Sequence, residues 1–271
     1  MTGHLPDYQI YAIRHGVNTV RIRAQNFIND PDPAALLQMD FYSWVLVGPD
    51  RTVVVDTGMK VETAARYGHT PVMAPPEALA QLGIDPASVD TVLLTHAHYD
   101  HVGHIDAFPQ ARFWMQAREM AYVTGPWMEH ALFRHAYLAP DIAALVGLLH
   151  AGRLHLHGPD AGVAPGVTVH WVGGHCDGQE IVRVHTARGW VVLASDALHY
   201  FEELERGKPY AVAFNISDMI AAHGRIRELA DSDDHIVPAH DPRVADLWPA
   251  AGPGLDGRIL RVDVAPVAAG S

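Results

Sequence analysis

Between His96 and His104 the chain HAHYDHVGH places four histidines and one aspartate in nine residues. Imidazole and carboxylate are ligands that suit zinc, and also iron or manganese. In an extended segment, side chains two apart point the same way, so His96 and His98 can hold one ion together. Asp100 and His101 follow in a turn, face elsewhere and can serve a second ion. More ligand-type residues recur at the ends of later β-rich runs: His175 after Gly174, Asp196 after Ser195, and His240 after Pro238-Ala239.

These residues need rigid elements behind them. Tyr42–Val47 and Thr52–Val55 read as a hairpin across the turn GPDR, the second strand ending at Asp56-Thr57-Gly58. Pro75–Leu82 has helical spacing, with Gly83 as its stop. Thr91–Leu94 is a buried-strand pattern running straight into the histidines. Ala111–Met115 predicts a further strand, and Gln116–His150 is mostly helical and rich in large apolar groups. Strands return at Val167–Val172, Ile181–His185 and Trp190–Ala194. Ser217–Leu229 predicts a helix, and His235–Val237 a last short strand. Two successive sets of strands and helices suggest a layered α/β domain with two sheets inside. Periodicity alone does not separate this from a doubly wound sheet.

The 271 residues suit one domain over 1–271, with the helical region around 115–150 as an insert near the site. The net charge of −12 and the absence of any basic run argue against a nucleic-acid partner. No apolar run is long enough to span a membrane, and Met1–Gly16 has no apolar leader core. A cytoplasmic location is the expectation. The single cysteine, Cys176, forms no intrachain disulfide. Oligomeric state stays open. Among the nineteen histidines, His4, His69, His155 and His157 sit in polar or turn-like surroundings and are expected at the surface.

The run His96-x-His98-x-Asp100-His101, followed by His175, Asp196 and His240 and preceded by Asp56-Thr57-Gly58, resembles the metallo-β-lactamase superfamily over about residues 40 to 242. The resemblance implies an αββα sandwich with a dinuclear centre, two divalent metal ions of which zinc is the expected identity. By that likeness His96, His98 and His175 would bind the first metal, and Asp100, His101 and His240 the second. Asp196 would bridge them, and Asp56 would orient a ligand histidine. Two such cations lower the pKa of a shared water, which gives hydrolysis without a protein nucleophile; no G-x-S-x-G elbow supports a serine mechanism. His104 is expected at the rim, and Cys176 as a small buried neighbour.

Length and motif layout are similar to the N-acyl-homoserine lactonase branch and related ring-opening lactonases. Attack on a lactone carbonyl by a hydroxide bridging the metals is the implied reaction. The alternatives are cleavage of an amide, thioester or organophosphate bond, or a redox or non-catalytic metal protein. Asp100 counts among the catalytic groups because its metal would receive the leaving alkoxide. Where homoserine lactonases carry a substrate-contacting tyrosine, three residues past the bridging aspartate, this chain has His199, with Tyr200 beside it. Either could act in the chemistry. That departure points away from homoserine lactone itself and leaves a different lactone open, such as one fused to an aromatic ring. The expected substrate is a small-molecule lactone with an apolar or aromatic portion, an acyl-homoserine lactone or an aromatic-fused one. The stripe Trp127, Met128, Phe133, Tyr137 and Leu138 reads as helix core or as a wall over the metals. The loop Asn26–Gln38 could supply the opposite wall.

Overall fold

The computed structural model describes residues 4–267; the ends of the expected 1–271 domain lie outside the described residues. In chain order the strands are β1 (Gln9–Asn18), β2 (Met39–Val47), β3 (Thr52–Val55), β4 (Thr70–Pro71), β5 (Thr91–Leu94), β6 (Arg112–Gln116) and β7 (Leu154–His157). They continue as β8 (Asp160–Ala164), β9 (Val167–Trp171), β10 (Glu180–Thr186), β11 (Gly189–Ser195), β12 (Ile236–Pro238) and β13 (Ile259–Arg261). Among the described residues they form two sheets. One runs β13-β1-β2-β3-β5-β6-β7, with β4 on β1, and the other runs β12-β11-β10-β9-β8.

Burial explains why the strand sequences look as they do. MDFYSWVLV in β2 is buried on nearly every residue, because one face meets the other sheet and the other meets helices. Trp44, Val53, Val55 and Leu93 of the first sheet pack on Val169, Val182, Val184 and Val191 of the second. Val45, Val54, Val92 and Leu94 point outward against Leu79 and Leu145 of flanking helices. Ile181, Val192 and Ala194 meet Ala222 and Ile226 of the helix Ile216–Leu229 on the far side. The layers are therefore αββα, as the resemblance implies.

Several expected elements shift by one to three residues, and some were not foreseen. β1, β4, β7, β8 and β13 belong to this group. β1 is irregular: its register on β2 slips between Arg14 and Gly16, so no clean alternation marks it. The region after β6 is broken rather than one long helix. It holds helices Ala117–Val123, Ala131–Arg134 and Ala139–His150, with a 3-10 turn at Pro126–Glu129. Pro126 and Pro140 each fall in the first turn of the element that follows, where proline is tolerated, whereas in the interior of one continuous helix each would break it. The stripe expected on a helix face is accordingly split. Tyr137 is buried, Met128 and Phe133 are partly covered, and Trp127 is 47% exposed.

Two histidines expected at the surface are buried. His69 is held by Asn18 and by the Tyr99 hydroxyl, at 3.1 and 2.8 Å. His157 lies at the end of β7 with Nε2 3.2 Å from Glu180 Oε2 in the opposite sheet. Neither partner is near in sequence, so local polarity gave no warning. His4 is exposed and His155 half-buried against Trp114.

Candidate metal centre

The C-terminal ends of β3, β5, β11 and β12 converge at one edge, where the sheets are stitched by Asp40 N donating to His240 O and Tyr42 N to Ala239 O. Two of these ends carry backbone in the left-handed region at non-glycine residues, Asp56 (φ 61°) and Ser195 (φ 46°). Such conformations persist only where surroundings impose them. Here Thr95 imposes them: its N–H donates to Asp56 Oδ1 and its hydroxyl to Asp56 Oδ2, both at 2.8 Å. The same hydroxyl lies 2.7 Å from Ser195 Oγ. Three strand ends are thereby tied beside His96 and Asp196. His175 arrives through Gly174 (φ +91°), where a Cβ would sit 2.6 Å from Met219 Cα, so glycine is required.

The structure brings all seven expected ligands together in two sets. His96 Nε2 and His175 Nε2 each lie 3.0 Å from His98 Nδ1, and Asp196 Oδ2 approaches His175 Nε2 at 3.3 Å. On the other side, Asp196 Oδ1 lies 3.2 Å from His101 Nε2 and 3.1 Å from His240 Nε2. Asp100 Oδ2 stands 3.5 and 3.8 Å from the same two nitrogens. One carboxylate thus presents a different oxygen to each set.

The outer nitrogens fix the tautomers. Nδ1 of His101 donates to Asp56 at 2.8 Å, that of His240 to Asp40 O at 2.7 Å, and that of His175 to Val212 O at 2.9 Å. Their Nε2 lone pairs then face inward, the arrangement a metal ligand needs. Burial, with the neighbouring imidazoles, drives His96 and His98 well below the usual imidazole range. His101 goes the other way: burial would lower it, but Asp100, Asp196 and Asp56 raise it well above. The carboxylates thus call for positive charge at this point. His101 Nε2 is moreover buried without any hydrogen-bond partner. An orphaned nitrogen aimed at two carboxylates, beside three facing imidazole nitrogens, fits a pair of divalent cations.

His199 and Tyr200 part company. His199 is buried with Nε2 3.1 Å from Asp196 Oδ2, and its ring stacks on Tyr210 at 3.6 Å and 12°. Burial pushes it down to about 3, against the pull of Asp196, so the imidazole is neutral. With Asp196 and His240 it forms a third ligand-type group. Tyr200 does not reach the cluster. Its ring packs on Phe27 and its hydroxyl donates to Gln38 O at 3.3 Å, because β-like backbone at Tyr200 turns it away as the helix Phe201–Arg206 begins. His104 bonds to Met59 O and stays outside the ligand sets. Cys176 is buried next to Gln179.

A cavity of about 150 Å³ opens over the cluster. His135 and Ala136, from the broken helical region, form part of its wall, with Tyr67, Tyr99 and His69. Tyr137 packs behind, its ring 4.5 Å from His98. The loop Asn26–Gln38 is not itself the opposite wall. Residues flanking it, Arg21 and Met39, line the cavity with Tyr210. Sequence reading missed Arg21, Tyr210 and Glu119; the first two are a polar and an aromatic group in loops far from the motif, and the third reads as an ordinary residue of the helix Ala117–Val123. Glu119 is fully buried and accepts from Ala97 N, Gly178 N and the Tyr137 hydroxyl at 2.9, 3.2 and 3.2 Å.

The family model of the metallo-beta-lactamase superfamily matches residues 41–240. The N-acyl homoserine lactonase AttM of Azorhizobium caulinodans is 26% identical over 273 residues, covering 91% of this chain and 97% of that protein. An N-acyl homoserine lactone hydrolase, solved with N-hexanoyl-L-homoserine bound at its catalytic metal centre, superposes with a TM-score of 0.70. It is 22% identical and covers 88% of this chain and 94% of that one. AidC, a dizinc quorum-quenching lactonase, gives 0.66 at 16% identity, with 89% and 90% covered. At those identities the two solved structures speak for the fold.

Proposed function

The chain belongs to the metallo-β-lactamase superfamily, and on that premise we propose that it is a metal-dependent hydrolase that opens a lactone ring, with zinc in both positions. The observation that carries this reading is the split of Asp196, one oxygen toward His96, His98 and His175 and the other toward Asp100, His101 and His240. The lactonase names of relatives that align along most of the chain support the choice of bond. When bound, a pair of divalent cations supplies an activated water and polarises the carbonyl under attack.

The protein's own part is orientation and hydrogen bonding. Asp56, Asp40 O and Val212 O hold three imidazoles in one tautomer each. His199 differs from them. Its Nδ1 has no hydrogen-bond partner, Glu203 Oε1 standing off at 3.7 Å. Nothing fixes the proton on Nδ1, so Nε2, 3.1 Å from Asp196 Oδ2 at the cavity wall, can carry it. His199 then serves as a neutral donor to the substrate carbonyl or the leaving oxygen, and Asp196, Asp100 and the five histidines of the two sets are left to the metals. The cavity volume matches a ring-sized ligand; a cavity of about 150 Å³ can accept benzene. Aromatic walls at Tyr67 and Tyr99, stacked at 3.9 Å and 5°, favour a lactone with an aromatic portion.

Protein purified without chelator and assayed on phthalide, N-hexanoyl-homoserine lactone, a glutathione thioester, a β-lactam and a phosphotriester tests this. The lactones should be opened fastest. Faster cleavage of the thioester or phosphotriester, with the lactones untouched, overturns the reading.

A further inference from the structure

Arg21 brings a guanidinium to the wall of the metal cavity. Its hydrogen bonds go only to neutral oxygens: Nε to Asn26 Oδ1 at 2.8 Å, Nη2 to Gln25 O at 3.0 Å and to Tyr210 Oη at 2.7 Å. Nη1 makes none. No carboxylate among the described residues pairs with it, whereas its neighbours in sequence are matched, Arg14 with Asp40 and Arg23 with Asp30 and Glu202. The acidic residues lining the cavity are Asp100 and Asp196, and both face the ligand nitrogens. In a chain of net charge −12, this leaves one cation at the cavity without an anion, its open donor end free for a ligand.

The geometry points to an anion subsite: we propose that Arg21 receives a carboxylate carried by the substrate on the side remote from its lactone carbonyl. This rests on the lactonase reading and narrows it to an acidic lactone. The span is set by Tyr210, whose hydroxyl is bonded to Arg21 and whose ring is stacked on His199 over Asp196. The distance from reacting centre to guanidinium is therefore about one aromatic ring. A benzo-fused lactone with a ring carboxylate has that span and is rigid, so little freedom is lost on binding. Arginine is suited to the task, since its donors match a carboxylate and its charge persists at any working pH.

The experiment compares kcat/KM for phthalide and 5-carboxyphthalide on the zinc-loaded protein and on Arg21→Met. The wild type should prefer the carboxylated lactone by about tenfold or more, and the ratio should fall to near one in Arg21→Met, with Arg21→Lys between. A wild type without preference overturns the proposal. So does a variant in which both substrates lose activity in proportion, because Arg21 would then only brace Tyr210. If neither lactone is opened, the lactonase reading has failed and the subsite is judged by calorimetric binding of terephthalate against benzoate. Terephthalate should bind about tenfold tighter to the wild type, and that margin should vanish in Arg21→Met. An equal affinity for the two acids overturns the subsite as well.

Discussion

Asp196 and His199 are three residues apart and touch, yet their tasks separate. Asp196 is held well below the usual carboxylate range; burial alone would raise it, but His240, His199 and His101 outweigh burial. As an anion it would offset the repulsion between two cations held by the flanking sets. Asp196→Asn should therefore bring bound metal below two per chain while the fold persists. Elemental analysis checks this, and two tightly held metals in the variant would refute the bridge. His199 carries no such duty in the reading above. His199→Ala should keep both metals and lower kcat by about 10²–10³, the usual effect of deleting one donor aimed at developing charge. His199→Tyr, which restores a donor but not an imidazole, should recover part of the loss. Loss of one metal in His199→Ala would instead make His199 a ligand.

The elements that position these groups were legible where the chain is locally consistent. TVLL running into HAHYDH, and an apolar run ending at Ser195-Asp196, each announce a strand with a ligand at its tip. That is why the seven ligand-type residues stand out, although their division between two metals came from the resemblance, and the structure brings all seven to one edge. The supporting groups were not legible, because their meaning depends on contacts made across the fold. Glu119 looks like an ordinary surface residue of the helix Ala117–Val123, and Tyr210 like a loop tyrosine. In the folded chain Glu119 joins Ala97, between two ligand histidines, to Gly178, just past His175. Burial raises its carboxyl, partly offset by those donors. Gly178 is needed for the approach, since a Cβ there would lie 2.2 Å from Glu119 N. Gly178→Ala must push the helix away and break the link. It should cost about 2–4 kcal/mol, the scale of overpacking plus one orphaned buried group, and weaken the first metal more than the second. Denaturant melts and chelator competition check both parts. An unchanged midpoint with unchanged metal affinity would remove Glu119 from its bridging role.

Across the whole molecule the two sheets are joined by more than apolar packing. His157 at the end of β7 and Glu180 at the start of β10 face each other between them, both buried. Burial raises Glu180 from 4.5 to about 7, with His157 pulling the other way. For His157 burial would lower the pKa, but Glu180 lifts it above 6.5. The two titrate as a pair, and each holds its proton more tightly folded than unfolded. Between pH about 4.5 and 7, and on to the folded value of His157, the native chain therefore binds more protons than the unfolded one. Stability from this pair is fully present at the acid end and is lost as pH rises through that window. Metal ligation has the opposite trend, since protons compete for the ligand imidazoles. The two are separated by difference. Glu180→Gln keeps shape and hydrogen-bonding capacity but cannot ionise, and it leaves the metal ligands alone. Melting temperatures of wild type and Glu180→Gln at saturating zinc, from pH 5 to 8, should diverge steadily, with the wild type losing ground to the variant as pH rises. A gap that stays constant, or that moves in favour of the wild type at high pH, would show that the proton is not held between the sheets.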